Sequence, residues 1–159
     1  MATTMTKAPV GDNSKTALIE GLNGLLADHL ALYFKTKNFH WHVTGPRFHD
    51  LHLLFDAQAA EVQGQIDAIA ERVRKNGART LTSIGTVAKA SSIADQDRAD
   101  LSAEDMITEL RDDNARLVER LKALKDPAEK AGDNATDGLI ADWTDMAEER
   151  VWFLSSILN

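Results

Sequence analysis

From Lys15 onward, apolar residues recur three and four positions apart over stretches far longer than a strand, and this spacing leaves few folds open to the chain. Leu18, Leu22, Leu25, Leu26, His29, Leu32 and Tyr33 make the first such stripe, the pattern of a helix with one face against a core. The stripe runs to about Val43, where Thr44-Gly45-Pro46 predicts a turn. A second amphipathic stripe passes through Leu51, Leu54, Phe55, Val62, Ile66, Ile69 and Val73. Pro46 suits its first turn, Asn76-Gly77 its stop, and Arg72, Arg74 and Lys75 complement the negative end of its dipole.

Residues 78–101 lose the periodicity, with Gly85, several serines and scattered apolar residues, and read as a long crossover carrying one short helix near Ile84 to Ala88. Ser102 with Asp105 resembles a capping box that opens a third helix through Met106, Leu110, Leu117 and Leu121, with Pro127 expected to end it. A fourth helix is expected from about Asp133 through Leu139, Ile140, Trp143, Met146, Val151, Leu154 and Leu158. Four long helices, a short first link and a long middle one predict an all-α fold, a ferritin-like four-helix bundle with a short extra helix in the middle crossover. Residues 1–15, with Pro9, Gly11, Asp12, Asn13 and Ser14, read as a flexible N-terminal arm, and residues 16–159 as one domain.

Composition narrows the chemistry. Cys is absent from the 159 residues, which removes disulfides, thiolate metal sites and thiol nucleophiles, so a bound metal must rely on His and carboxylates. A net charge of -7 argues against a broad phosphate-binding face. No apolar run approaches the ~20 residues of a membrane span and no secretory signal is evident, so a cytoplasmic protein is expected.

All five histidines (His29, His40, His42, His49, His52) fall in one 24-residue window. Taken singly, His29, His42 and His49 read as core or surface residues with ordinary hydrogen bonds. His52 and Asp56 are four apart and share a helix face, while His40 lies about as far before the Gly45 turn as His52 lies after it, so a hairpin brings the three together. Two imidazoles and a carboxylate with open positions suit ferrous iron, whereas structural zinc is usually closed by four ligands. Asp67 and Glu71 form a second i, i+4 pair on nearly the same face, but at ~1.5 Å per residue Asp56 and Asp67 stand ~16 Å apart along the axis. One chain cannot close such a site. Two copies of the second helix, antiparallel about a twofold axis near Glu61 to Val62, would set Asp67 and Glu71 of one opposite His52 and Asp56 of the other. The alternative is that Asp67 and Glu71 are a solvated face, with or without salt bridges to Arg72 or Arg74.

The segment NFHWHVTGPRFHDLHLLFDAQAAEVQGQIDAIAERVR, from Asn38 to Arg74, closely resembles the Dps family, the miniferritins that protect DNA in starved bacteria. The family has a His-Trp pair, a His 12 residues after the first, an Asp four later, and an Asp and a Glu farther along, matched here by His40 with Trp41, His52, Asp56, Asp67 and Glu71. The resemblance extends past the arm to the chain's end, including the long middle connection and Trp152-Phe153. It implies a ferroxidase, an oxidoreductase whose catalytic and metal-binding residues are those five, shared between twofold-related subunits. It further implies a hollow dodecamer that oxidises ferrous iron, preferably with hydrogen peroxide, and stores ferric oxide, so that DNA escapes oxidative damage. Trp41 beside the site is either a radical scavenger or a packed core residue.

Two departures stand out. Leu53 occupies the place where many members carry a Glu that aids mineral nucleation, leaving that task to other interior acids. The arm offers Lys7 and Lys15 against Asp12, and the C-terminal residues 155–159 hold no charged side chain, so DNA binding is expected to be weak or absent. Asp133, Asp137 and Asp142 suit iron-entry pores or, equally, favourable acids at a helix start. Gly11 to Thr16 only superficially suggests a phosphate loop, and the absence of a Glu-x-x-His motif disfavours a di-iron centre held within one bundle. The competing function is a nucleoid-compacting DNA-binding protein with a secondary iron site, in which case the protein would be nucleoid-associated.

Overall fold

A computed structural model describes residues 11–159 and consists of five helices: α1 (Gly11–His42), α2 (Phe48–Lys75), α3 (Ile84–Ala90), α4 (Ala103–Lys130) and α5 (Asn134–Leu158). Among the described residues there is no strand. The apolar stripes become the core, with Leu18, Leu22, Leu25 and Leu32 of α1, Phe55 and Ile69 of α2, and Met106, Leu110, Leu117 and Leu121 of α4 fully buried. Trp143 and Leu154 bring α5 onto the same core.

Cross-helix pairs fix the directions. His29 meets Gln65 and Asn23 meets the carbonyl of Arg79, so α1 and α2 run antiparallel. Asp28 with Arg120 and Lys35 with Asp113 make α1 antiparallel to α4. Asn114 with Arg150 and Lys125 with Asp137 do the same for α4 and α5. It follows that α2 and α4 are parallel, and only a connection the length of the bundle can join them. Residues 76–102 are that connection. Three α1 side chains pin it: buried Asp28 accepts from the backbone N–H and hydroxyl of Ser92, Lys35 donates to the carbonyl of Ala94, and Asn38 to that of Gln96.

Most helix ends match their sequence signals. Gly77 (φ 83°) and Gly132 (φ 70°) follow α2 and α4 in the left-handed conformation. In each case the next residue donates back five positions, Ala78 to Val73 and Asp133 to Ala128, which satisfies carbonyls the helix leaves open. Ser102 accepts from the N–H of Asp105, and Asp133 from that of Thr136. Three expectations need correction. Residues 11–15, assigned to the arm, already belong to α1, while residues 1–10 lie outside the described part. Pro46 sits in the turn, and α2 opens two residues later, at Phe48. Pro127 does not end α4, which continues to Lys130; its own carbonyl still accepts from the N–H of Ala131, so the final turn closes beyond it.

Candidate metal centre at the α1–α2 hairpin

The last turn of α1 and the first turns of α2 hold the two histidines against each other. His40 Nδ1 lies 2.7 Å from the carbonyl oxygen of His52, and His52 Nδ1 lies 2.7 Å from that of His40. A carbonyl can only accept, so each ring carries its proton on Nδ1 and keeps an unshared pair on Nε2 for a metal. The position of His40 explains half of this reciprocity. Carbonyls in the last turn of a helix lack a backbone partner, which leaves that of His40 free for His52. The rings stack at 3.8 Å between centroids and 14° between planes, and Phe48 lies over the other side of His52 at 5.1 Å.

Asp56 completes what one chain contributes here. Its Oδ1 lies 3.8 Å from His40 Nε2 and accepts a 2.6 Å hydrogen bond from Lys37 Nζ. That bond, together with the positive charge of Lys37, holds the carboxyl below its ordinary pKa, so it is ionised and ready for a cation. The hairpin therefore gathers His40, His52 and Asp56 as expected. Asp67 and Glu71 stay apart from them, exposed farther along α2. Among the described residues, no three His, Asp or Glu side chains enclose a metal position by themselves.

In one chain Asp67 and Glu71 are a solvated face, as the alternative reading has it, but they form no salt bridge to Arg72 or Arg74. Arg72 turns to α5, donating to Asp133 at 2.7 Å and to the Thr136 hydroxyl at 2.8 Å, and Arg74 donates to the carbonyl of Ala78. Glu71 has only Lys75, at 3.8 Å and largely exposed. Leu53, Ala57, Ala60 and Gly64 form an exposed stripe along α2 that starts beside His52 and Asp56 and runs toward Asp67. Phe34 and Trp41, in edge contact at 6.2 Å, stand exposed at the adjoining end of α1. Trp41 is thus not a packed core residue of the single chain.

The other histidines behave as ordinary hydrogen-bonding groups where bonds are formed. His29 is fully buried between the carbonyl of Leu25 and the Gln65 amide, and burial pushes its pKa down. His42 bonds the Asn38 carbonyl and side chain, while His49 is exposed. Asp133 is occupied as a cap: burial works against its charge, but hydrogen bonds from Arg72, Thr136 and Asn76 together outweigh it and hold the carboxyl far below its usual range. It is poorly placed to receive iron. Lys37 is the site residue that sequence reasoning missed. The available signal was its place three residues before His40, on the same helix face.

A ferritin-like domain family matches residues 19–159. The DNA protection during starvation protein of Brevibacillus brevis is 34% identical over 138 residues, covering 87% of this chain and 92% of that one. Among solved structures, Dps from Thermosynechococcus elongatus superposes with a TM-score of 0.90 at 26% identity, covering 92% and 93% of the two chains. The Dps protein from Vibrio cholerae O1, described as a member of a broad superfamily of ferritin-like diiron-carboxylate proteins, gives 0.87 at 27% identity, covering 99% and 100%. The fold and the family match define a ferritin-like protein. Within that class, the chain belongs to the Dps family. An iron-related protective role comes with that membership. No helix among the described residues is long and apolar enough to cross a membrane.

Proposed function

We propose that this chain is a ferroxidase and iron store of the Dps type, with centres shared between two copies. His40, His52 and Asp56 of one copy bind ferrous iron as substrate, and Asp67 and Glu71 of a second copy close the centre. The observation that carries the reading is the reciprocal His40–His52 pair, which protonates both Nδ1 atoms and leaves both Nε2 atoms free beside an ionised Asp56. A histidine kept only for packing needs no such arrangement; a ligand needs its far nitrogen fixed in this way.

The twofold pairing follows from register. His52 and Glu71 stand equally far from a midpoint between Glu61 and Val62, as do Asp56 and Asp67. The exposed stripe of Leu53, Ala57, Ala60 and Gly64 lets two α2 helices approach closely there. Hydrogen peroxide is the oxidant that fits the protective role. Two ferrous ions give one electron each, the O–O bond breaks, and two protons are taken up, so both oxygens leave as water and no hydroxyl radical is released. The ferric product passes into a hollow dodecamer in the cytoplasm, which spares DNA without needing to bind it.

The test is to mix the protein with ferrous salt and peroxide and follow ferric absorbance. Asp56→Ala is expected to slow oxidation by about tenfold or more while the cage stays assembled, because an exposed carboxylate contributes little packing. Unchanged oxidation kinetics in that variant would remove Asp56 from the centre.

A further inference from the structure

We infer that Asn76 is a deamidation site, held latent by Asp133 for as long as the start of α5 stays on the end of α2. The chain has two Asn-Gly pairs, Asn23-Gly24 and Asn76-Gly77, and a glycine leaves its backbone nitrogen open to the side chain before it. In the reaction that nitrogen bonds to the asparagine Cγ while the Cγ–Nδ2 bond breaks. The side-chain nitrogen takes up the proton of the backbone N–H and leaves as ammonia, and water then opens the cyclic imide to aspartate or isoaspartate. The fold treats the two pairs differently. Asn23-Gly24 lies inside α1, with Gly24 buried, so its backbone nitrogen belongs to the helix ladder. Asn76-Gly77 lies just past the last residue of α2, with Gly77 exposed.

Side-chain contacts therefore guard the second pair. Asn76 keeps a near-helical backbone (φ -86°, ψ 6°), which turns the Gly77 N–H back along α2 to the carbonyl of Arg74 at 2.9 Å. Asn76 Nδ2, the nitrogen that must leave, donates to the carbonyl of Arg72 and to Asp133 Oδ2, each at 2.9 Å. Of these bonds only the one to Asp133 reaches another element. Arg72 and Thr136 fix Asp133 in turn, so the first turn of α5 must lift before the Asn76 side chain swings free. The change is then one-way. A carboxylate in place of the amide has no N–H to offer. It would face the Arg72 carbonyl and the Asp133 carboxylate, both acceptors, at the negative end of the α2 dipole. A chain whose junction has stayed open long enough to react is marked, and it cannot close the junction as before.

The test is to hold the protein in warm, mildly alkaline buffer and follow the exchange of amide for acid at each asparagine by mass spectrometry of its peptides. In concentrated urea the unfolded chain should deamidate at both Asn23 and Asn76. In the folded wild type both should be slower by about tenfold or more. Asp133→Ser, whose single oxygen caps α5 and leaves none for Asn76, should speed Asn76 by about tenfold while Asn23 stays protected. That selectivity separates local release from unfolding of the whole chain. Asn76→Asp, which installs one product directly, should lower the thermal midpoint. Folded wild type that deamidates at Asn76 as fast as in urea overturns the inference. So does Asp133→Ser that leaves Asn76 protected or releases both asparagines together, and an Asn76→Asp variant as stable as wild type overturns the one-way mark.

Discussion

Two polar clusters share α2 and settle their charges in opposite ways. On its inner face, Glu61 accepts from Arg150 Nη1 at 2.5 Å and Gln65 meets His29 Nε2 at 2.8 Å, while Arg150 Nε donates to Asn114 at 2.7 Å. These groups come from all four long helices, and Arg150 and His29 are almost wholly buried. Near the loop end, His52 and Asp56 join His40 with ring nitrogens and carboxylate oxygens turned outward. The inner cluster, Arg150 Nη2 excepted, finds its partners within one chain, because a buried charge left unpaired costs about 3–5 kcal/mol. The hairpin cluster leaves donor atoms open beside an exposed face. Polarity alone does not mark a functional site; ligand atoms left without a partner do.

The largest effect expected from this contrast tests whether the open cluster is completed by a second copy. If His52→Ala and Glu71→Ala chains are each inactive, then unfolding them together in equal amounts and reassembling them at random should restore about a quarter of the centres, because an isologous pairing supplies intact histidines and intact acids by chance in that fraction. A centre contained in one chain regains nothing, since every chain carries a lesion. Verified mixed cages without activity would break the comparison at its outer end.

The inner cluster predicts the reverse phenotype. Arg150→Met removes the cation and leaves Glu61 and Asn114 without their partner, at a cost of about 3 kcal/mol; this is the low end for a broken buried pair because Glu61 is 27% exposed. The thermal midpoint should fall, while protein that remains assembled oxidises ferrous iron at the wild-type rate. A variant that is fully stable but slow in oxidation would move Arg150 into the functional cluster.

The same contrast explains what was legible in the sequence. Helix number, the crossover, the turn at Gly45 and the stop at Gly77 follow from local rules of periodicity and capping. The gathering of His40, His52 and Asp56 at the hairpin was legible because i, i+4 spacing and a short turn fix proximity without knowledge of the tertiary fold. Glu61, Gln65 and Arg150 were not, because charged and amide residues inside a stripe read as surface until four helices converge on them. The anchors of the crossover, Asp28, Lys35 and Asn38, were hidden for the same reason: their partners lie 58–64 residues away. Pro127 misled because a proline's missing N–H and its ring disturb the turn before it, while the residues after it stay free to continue the helix.

A smaller effect concerns the end of the bundle, where Asp133 behaves like the inner cluster although it begins a helix. Its folded pKa is depressed, so the stability it contributes is complete above the ordinary carboxyl pKa of ~4 and is lost as pH falls from there toward the folded value. Asp133→Ala should cost about 2 kcal/mol at neutral pH, combining a lost cap with an unpaired Arg72. The deficit relative to wild type should shrink as pH falls below about 4. Denaturant unfolding at pH 7 and pH 3 measures both; a deficit independent of pH would show that the carboxylate charge is not what holds α5 to α2.

The smallest expected effect is on DNA, and it separates protection by chemistry at the hairpin from protection by coating. Each chain carries a net charge of -7, and residues 1–15 hold only Lys7 and Lys15 against Asp12. The lysines of the described surface are largely paired: Lys125 lies 2.9 Å from Glu129 and 3.2 Å from Asp137, and Lys130 lies 2.9 Å from Asp126. Phosphate binding draws its free energy from counterions released by unpaired cations, so an assembly of such chains gains little and suffers long-range repulsion. In a gel shift near physiological salt, DNA should run unretarded, while the same preparation still protects it from ferrous iron and peroxide. Retardation at low salt alone is compatible with this, because screening is then small and many weak contacts of one assembly act together. Retardation that persists at physiological salt, with protection surviving Asp56→Ala, would assign the protective role to coating and leave the hairpin centre a secondary feature.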